Sequence, residues 1–130
     1  MKKLLFILLL FVISCDKDID DFELYNKTWT LTELNGNQIV SDDAFIKFDY
    51  NSVNGENSCN SFSGNYFIDK HNSITFYSFV TTKVACINNT IENEFMDVLK
   101  NSKSYSTNHS ELYLFNSNKV IIAKFEIKCY

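Results

Sequence analysis

Arginine and proline are absent from this chain of 130 residues, and only three residues are glycine. All 12 basic residues are therefore lysine, and 16 acidic residues outnumber them, for a formal net charge of −4. Nucleic-acid phosphates select basic patches and favour the two-pronged guanidinium group, so we expect no nucleic-acid partner. With 45% hydrophobic residues, the chain is still apolar enough to fold as one globular domain.

Long hydrophobic runs are also missing, because no stretch reaches the roughly 18 residues expected of a membrane-spanning helix. The longest apolar stretch runs over the ten residues from Leu4 to Ile13 and follows the positive start Met1-Lys2-Lys3. A charged start before a short apolar stretch is typical of a secretory signal peptide. The sequence therefore predicts a signal peptide over residues 1–14 and an exported protein.

The end of that stretch, Val12-Ile13-Ser14-Cys15, resembles the bacterial lipobox, in which the cysteine is lipidated and becomes the first mature residue. Each buried methylene contributes about 0.8 kcal/mol, so the acyl chains would hold the domain on a membrane. An ordinary cleaved signal peptide is the alternative. We expect lipidation at Cys15 and a location at the bacterial outer membrane or the cell surface.

Residues 15–24 form an acidic segment after this cysteine, with aspartates at positions 16, 18, 20 and 21. Such stretches resemble the surface-export signals of some lipoproteins of Gram-negative bacteria, although a plain hydrophilic tether explains the same residues. Removal of residues 1–14 leaves 10 lysines against 16 acidic residues, and the mature charge is −6. We assign residues 25–130 to the folded domain.

Apolar and polar residues alternate from Tyr25 onward, with many β-branched and aromatic side chains, as half-buried strands require. Strands are predicted over residues 28–32, 45–48, 52–56, 65–68, 74–79, 112–115 and 120–127, with one more near Tyr105. Asn35-Gly36 is a strong turn signal after the first of them. The pattern indicates seven or eight strands.

One segment, residues 90–100, instead places apolar residues at positions 91, 95, 98 and 99, which is helical spacing. Thr90 is the predicted N-cap, Glu92 and Glu94 favour the positive helix start, and Lys100 favours its end. The predicted fold class is mainly β (α+β). It is a strongly bent antiparallel sheet or small half-open barrel, with one packed helix as a lid or core plug.

Three cysteines remain in the domain: Cys59, Cys86 and Cys129. Because an exported chain meets an oxidising compartment, pairing is plausible, and a Cys59–Cys86 bond would contribute about 3.6 kcal/mol through loop closure. Cys129 is then the free thiol. A zinc site is a weaker alternative, since the cysteines and the two histidines lack the usual ligand spacing. We expect no metal and no cofactor.

The surroundings of two cysteines resemble a known family. Residues 54–66, Asn-Gly-Glu-Asn-Ser-Cys-Asn-Ser-Phe-Ser-Gly-Asn-Tyr, resemble the G-x-x-G-C-N-x-x-x-G-x-Y block of the META domain, the HslJ-like family. Residues 81–86, Thr-Thr-Lys-Val-Ala-Cys, resemble its S-T-x-M-A-C block. The resemblance covers about residues 25–127. It assigns these motif positions: Trp29, Gly55, Cys59, Asn60, Gly64, Tyr66, Thr82, Ala85 and Cys86.

The chain departs from the family pattern at Ser58, which replaces the glycine before Cys59, and at Val84, which replaces methionine. A serine at position 58 puts the turn geometry in question. The resemblance implies a compact antiparallel β domain with a helix, often exported and lipid-anchored. Members of the family are associated with heat shock, antibiotic tolerance and, in some organisms, secretion or virulence. No enzymatic activity is established for the family, and we expect none here.

The motif residues have a structural interpretation and a chemical one. Structurally, Gly64 permits a tight turn, Asn60 bonds nearby backbone, and Cys59 and Cys86 fasten two strand regions together. A catalytic thiol would need a neighbouring base. The sequence favours the structural interpretation, because His71 and His109 lie in polar turns where solvated loop residues are expected.

Aromatic residues raise a second functional hypothesis. Nine of them are predicted to face the inside of the barrel: Trp29, Phe45, Phe48, Phe62, Tyr66, Phe67, Phe76, Phe79 and Phe125. They could line an apolar cavity for a lipid or the tail of an envelope protein, as in a secretion pilot, or simply pack against one another. We favour a monomeric, non-catalytic lipoprotein in envelope homeostasis or stress tolerance, with the binding module as the alternative.

Overall fold

The computed structural model describes residues 24–87 and 91–128, which contain nine strands and one helix. The strands are β1 (Trp29–Leu34), β2 (Asn37–Gln38), β3 (Ala44–Phe48), β4 (Ser52–Asn57), β5 (Ser61–Ile68), β6 (Ile74–Thr81), β7 (Ser104–Thr107), β8 (Glu111–Phe115) and β9 (Ile121–Ile127). Helix α1 spans Glu92–Asn101. Five sequence predictions lie wholly or almost wholly outside the described residues: the signal peptide over residues 1–14, the Cys15 anchor, the acidic segment over residues 15–24, the Thr90 N-cap and the free Cys129.

All strands belong to one antiparallel sheet in the order β6-β5-β4-β3-β1-β9-β8-β7, with β2 paired to β1 alone. The sheet curls until its first and last strands approach each other again. Ser73 and Ser104 form a bridge there, and the backbone N–H of Ile74 donates to the carbonyl of Lys103 at 3.0 Å. This curl makes a half-barrel and confirms the predicted fold class.

Helix α1 lies across the open side of the half-barrel as a core plug. Its buried residues are Phe95, Met96, Val98 and Leu99, a single stripe at helical spacing. The ring of Phe95 is fully buried, with centroids 5.8 Å from Phe62 and 6.0 Å from Phe125. The N-cap position is Ile91, whose side chain makes no capping hydrogen bond. The ten-residue helix confirms the periodicity argument.

Inside the half-barrel, aromatic side chains pack against one another. Phe48 meets Tyr66 edge-on at 5.2 Å between ring centroids, and Phe62 meets Phe79 at 5.9 Å. Such edge-to-face pairs are a favoured geometry of buried rings. Two of the nine aromatics predicted to face inward do not. Phe67 is 63% exposed on the outer face of β5, and the half-buried Phe45 alternates with the inward Ala44 and Ile46.

The strand boundaries show where the sequence pattern was incomplete. The Asn35-Gly36 turn is confirmed, because both residues have positive φ, 47° and 82°, between β1 and β2. β2 was not predicted, since a two-residue strand carries no periodicity. The prediction of a turn at Gly64 is wrong. This residue lies within β5, which begins at Ser61 and pairs with both β4 and β6.

Within the described residues, no helix is long and apolar enough to cross a membrane.

Candidate functional site

Four motif residues come together where β4 turns into β5: Cys59, Asn60, Thr82 and Cys86. Asn57 is fully buried, and its side-chain Oδ1 accepts hydrogen bonds from the backbone N–H of Asn60 at 2.8 Å and of Cys59 at 3.3 Å. This asparagine turn replaces strand pairing over residues 58–60. Among the described residues, the Nδ2 atom of Asn57 is buried with no hydrogen-bond partner. The turn therefore holds its backbone through one buried amide oxygen.

Asn60 is the centre of this site, 4% exposed and bonded through both side-chain atoms. Its Oδ1 accepts from the hydroxyl of Thr82 at 2.8 Å and from the backbone N–H of Val84 at 2.7 Å. Its Nδ2 donates to Oε1 of Glu92 at 2.7 Å and to the Val84 carbonyl at 3.3 Å. One amide thus joins the β4–β5 turn, the segment after β6 and the first turn of α1. We call Asn57, Cys59, Asn60, Thr82, Val84, Cys86 and Glu92 the Asn60 cluster.

In addition to the hydrogen bonds of Asn60, the cluster contains a disulfide between Cys59 and Cys86, whose Cα atoms are 5.8 Å apart. This pairing confirms the bond that the sequence made plausible. It joins the β4–β5 turn to the segment after β6, the same two parts of the chain that Asn60 joins. Because both sulfurs are bonded to each other, neither is available as a thiol nucleophile or a metal ligand.

Ser58, the departure from the family's glycine, has a φ of +75°. It therefore keeps the left-handed backbone that glycine adopts without cost, rather than a different one. Its backbone N–H donates to the carbonyl of Asp43 at 3.1 Å, which ties the turn to the loop before β3. An L-residue in this region costs roughly 1–2 kcal/mol. The turn geometry survives the substitution at the expense of backbone strain.

We expect Ser58→Gly to be about 1 kcal/mol more stable than Ser58→Ala in urea-induced unfolding. Both variants remove the hydroxyl and its contacts, so the comparison isolates the backbone angle. Glycine relieves the strain, and the larger freedom of its unfolded chain offsets part of the gain. Equal stabilities for the two variants would show that the positive φ is not strained.

Two glycines of the motif lie in strands, where they allow close approach rather than a turn. A Cβ built on Gly55 would sit 2.0 Å from the carbonyl oxygen of Phe45 on the paired strand. A Cβ on Gly64 would sit 2.7 Å from Cδ1 of Phe79. At both positions a side chain would collide with a neighbour, and this is the physical requirement for glycine.

The remaining motif residues support the core or lie on the surface. Trp29 is fully buried in β1 and donates from Nε1 to the carbonyl of Leu24 at 3.1 Å. Tyr66 packs inside, and its hydroxyl donates to the carbonyl of Asp49 at 2.7 Å. Ala85 is exposed between Val84 and Cys86. These roles are structural. Trp29 and Tyr66 are not members of the Asn60 cluster.

The hydrogen bond between Glu92 and Asn60 could not be predicted from the sequence. Glu92 was assigned to the helix start for its charge alone, yet its carboxylate also accepts the Asn60 amide across 32 positions of sequence. The charge at the helix start is the only sequence signal for this residue, and Glu92 and Glu94 share it equally. In the structure, Glu94 accepts from the side chain of Asn35 at 2.9 Å.

The described part of the chain assembles no group of side chains suited to hold a metal ion. His71 and His109 are exposed loop residues, as predicted. Among residues 24–87 and 91–128, no group of three or more histidine, cysteine or acidic side chains could hold a metal ion. Of the adjacent aspartates, Asp42 pairs with Lys128 and Asp43 is exposed. The Asn60 cluster instead joins the β4–β5 turn, the segment after β6 and the start of α1.

A network of charged and polar groups lies on the outer face of β8 and β9, away from this site. Hydrogen bonds from Tyr113 and Asn108 and the charge of Lys124 lower the pKa of the Glu111 carboxyl. The same hydrogen bond raises the pKa of the Tyr113 hydroxyl, and Glu111 raises the pKa of Lys124. All three groups are only half-buried, so solvent screens these effects.

The profile of the META domain family matches residues 22–127, a range that includes every residue of the Asn60 cluster. The chain belongs to the META domain family. The resemblance drawn from the two cysteine blocks is confirmed. No curated protein matches the chain significantly.

Solved structures show the same META-type fold at low sequence identity. A protein determined by NMR is 22% identical, with a TM-score of 0.64 over 82% of this chain and 92% of its own. A DUF4847-family protein from Bacteroides vulgatus is 16% identical, with a TM-score of 0.62 over 79% and 93%. A protein from Burkholderia xenovorans is 18% identical, with a TM-score of 0.62 over 82% and 85%. These likenesses extend to the fold alone.

Proposed function

We propose that this META domain is an exported bacterial lipoprotein, anchored through Cys15, that acts without catalysis in envelope homeostasis or stress tolerance. The observation that carries the proposal is the Cys59–Cys86 disulfide. Disulfides persist in oxidising compartments outside the cytosol. The signal-like segment over residues 1–14 and the lipobox-like Val12-Ile13-Ser14-Cys15 support the same route.

A non-catalytic role is supported by what the motif residues do. Asn60 uses both side-chain atoms to hold three segments together, and Cys59 and Cys86 are bonded to each other. The disulfide and these hydrogen bonds stabilise the folded domain, and this supports a role in stress tolerance. The alternative hypothesis, a barrel cavity that binds a lipid or a protein tail, stays a prediction. The inward rings contact one another, and these contacts lend it no support.

The anchor is tested with labelled palmitate in cells that produce the full chain. Wild type and Cys129→Ala are expected to incorporate the label and to fractionate with membranes. Cys15→Ala is expected to lose both, because the acyl chains attach at that sulfur. Cys129→Ala is the matched control, since it removes a cysteine outside the lipobox-like segment.

Incorporation of palmitate into Cys15→Ala would contradict the anchor. The role is examined with the same variants in a strain that lacks the protein. Wild type and Cys129→Ala should restore survival under heat or membrane-damaging antibiotics, whereas Cys15→Ala should not. Equal restoration by Cys15→Ala would show that the role does not need the membrane.

A further inference from the structure

Three exposed aromatic residues lie toward one end of the β4–β6 part of the sheet: Phe67 and Tyr77 on the outer face, and Tyr50 in the turn before β4. In that order they are 63%, 49% and 77% exposed. The pairs Phe67–Thr75 and Asn65–Tyr77 make Phe67 and Tyr77 diagonal neighbours on the same face. Tyr50 lies two residues before the start of β4, whose first residue, Ser52, pairs with Asn65 of β5. We call these three residues the aromatic face.

The described chain begins beside this face. Tyr25 bridges to Phe48 at the end of β3, and its hydroxyl donates to the carbonyl of Tyr50 at 3.4 Å. Cys15 precedes Leu24 by nine residues, which span at most about 30 Å when fully extended. A lipid on Cys15 would therefore hold the start of the domain, and with it the aromatic face, within about 30 Å of the membrane.

Charged side chains at the same end of the sheet suit lipid headgroups. A depression of about 310 Å³ opens between the start of β1 and the end of β3, and Lys27, Lys47 and Asp49 contribute to its lining. Lysine ammonium groups match the phosphate of a headgroup, and the carboxylate matches the amine of a zwitterionic one. Tyrosine is characteristic of membrane interfaces because its ring is apolar and its hydroxyl polar.

The opposite end of the same strands points away from the chain start. β5 has eight residues and so separates its two ends by roughly 23 Å. The Cys59–Cys86 disulfide and Ile87, which is 92% exposed, lie beyond the far end of β5 and β6. Exposed apolar side chains thus occur at both ends, and the aromatic face is at the end where the tether joins the domain.

We propose that the aromatic face rests on the bilayer to which the protein is anchored. Tyr50, Phe67 and Tyr77 insert among the headgroups, and the Asn60 cluster is directed away from the membrane. This inference rests on the proposed lipid anchor. The lipid supplies attachment, and the aromatic face supplies orientation, so that the disulfide-bonded end faces the envelope space.

The test uses tryptophan fluorescence of the full lipidated chain, purified from membranes and placed in phosphatidylethanolamine and phosphatidylcholine vesicles. Trp29 is the single native tryptophan and is fully buried. Phe67→Trp adds a reporter on the aromatic face, and Ile87→Trp adds a matched one at the opposite end. Bromine-labelled acyl chains quench only indoles that enter the bilayer interface.

With labelled lipid, we expect the added emission of Phe67→Trp to fall at least about twofold, because interfacial rings sit at the boundary of the acyl chains. Emission of Ile87→Trp should stay unchanged. Flotation of the protein with the vesicles is measured first. Flotation without quenching at position 67, or with equal quenching at both positions, overturns the orientation alone. Failure of wild type to float overturns the anchor and, with it, this inference.

Discussion

Gly55→Ala is expected to lower the free energy of unfolding by about 3 kcal/mol or more, enough to unfold much of a marginally stable domain. The added Cβ would lie 2.0 Å from the carbonyl oxygen of Phe45 and 2.9 Å from the ring of Phe62. The first neighbour is backbone in the paired strand β3. It cannot turn aside, so the two strands must separate. Urea-induced unfolding followed by circular dichroism measures the loss.

Gly64→Ala is the matched control, because it adds the same methyl group to the neighbouring strand. Its nearest contacts are ring atoms of Phe79 at 2.7 and 2.9 Å, and this ring is only partly buried. A side chain near the surface can rotate away, so we expect a loss of about 1–2 kcal/mol. Equal losses at the two positions would contradict the argument that backbone contact makes Gly55 indispensable.

Loss of the disulfide in Cys59→Ser/Cys86→Ser is expected to cost about 3.6 kcal/mol of stability. The bond closes a loop between residues 27 positions apart, and its removal frees that loop in the unfolded chain. Asn60 still joins the same segments in the variant, so we expect the native fold to persist at lower stability. Urea-induced unfolding compares the variant with wild type under non-reducing conditions.

Dithiothreitol provides the control for the disulfide. It should destabilise the wild-type protein by about as much as the double substitution and leave the double variant unchanged. Alkylation of unreduced mature protein should find a single free thiol, that of Cys129. Three reactive thiols, or a wild-type stability that does not respond to reductant, would contradict a bond between Cys59 and Cys86.

Local patterns in the sequence were sufficient for most of the fold. Alternation over residues 45–48 and 74–79 corresponds to β3 and β6, and the spacing of residues 91, 95, 98 and 99 corresponds to α1. Asn35-Gly36 forms the predicted turn. These features depend on neighbours within a few positions, so a short window of sequence contains the whole signal.

The beginning of β5 shows where such patterns fail. Ser61 to Gly64 contains serine and glycine, which are typical of loops, and the prediction placed a turn there. In the structure these residues pair with β4 on one side and β6 on the other. Glycine is required because the ring of Phe79 packs against it, a contact between residues that are 15 positions apart in the sequence.

The candidate site was partly accessible from sequence. The two cysteine blocks pointed to the META family, and export made a Cys59–Cys86 bond plausible before any geometry was known. The hydrogen bonds of Asn60 to Thr82 and Glu92 were not accessible, because they cross 22 and 32 positions of sequence. They form only after the sheet curls and α1 closes over it.

The sequence by itself determined that the protein is a small acidic β domain that follows a signal-like segment. The absence of arginine and of long apolar runs argued against a nucleic-acid partner and a membrane-spanning helix. Residue spacing determined the domain's helix and most of its strands, and the two cysteine blocks pointed to its family. The tertiary structure decided which face of each strand is buried, so that Phe67 points outward while Phe62 packs against α1. It also decided why Gly55 must be glycine. Periodicity is a property of neighbouring residues, whereas burial and close approach depend on how far the sheet curls.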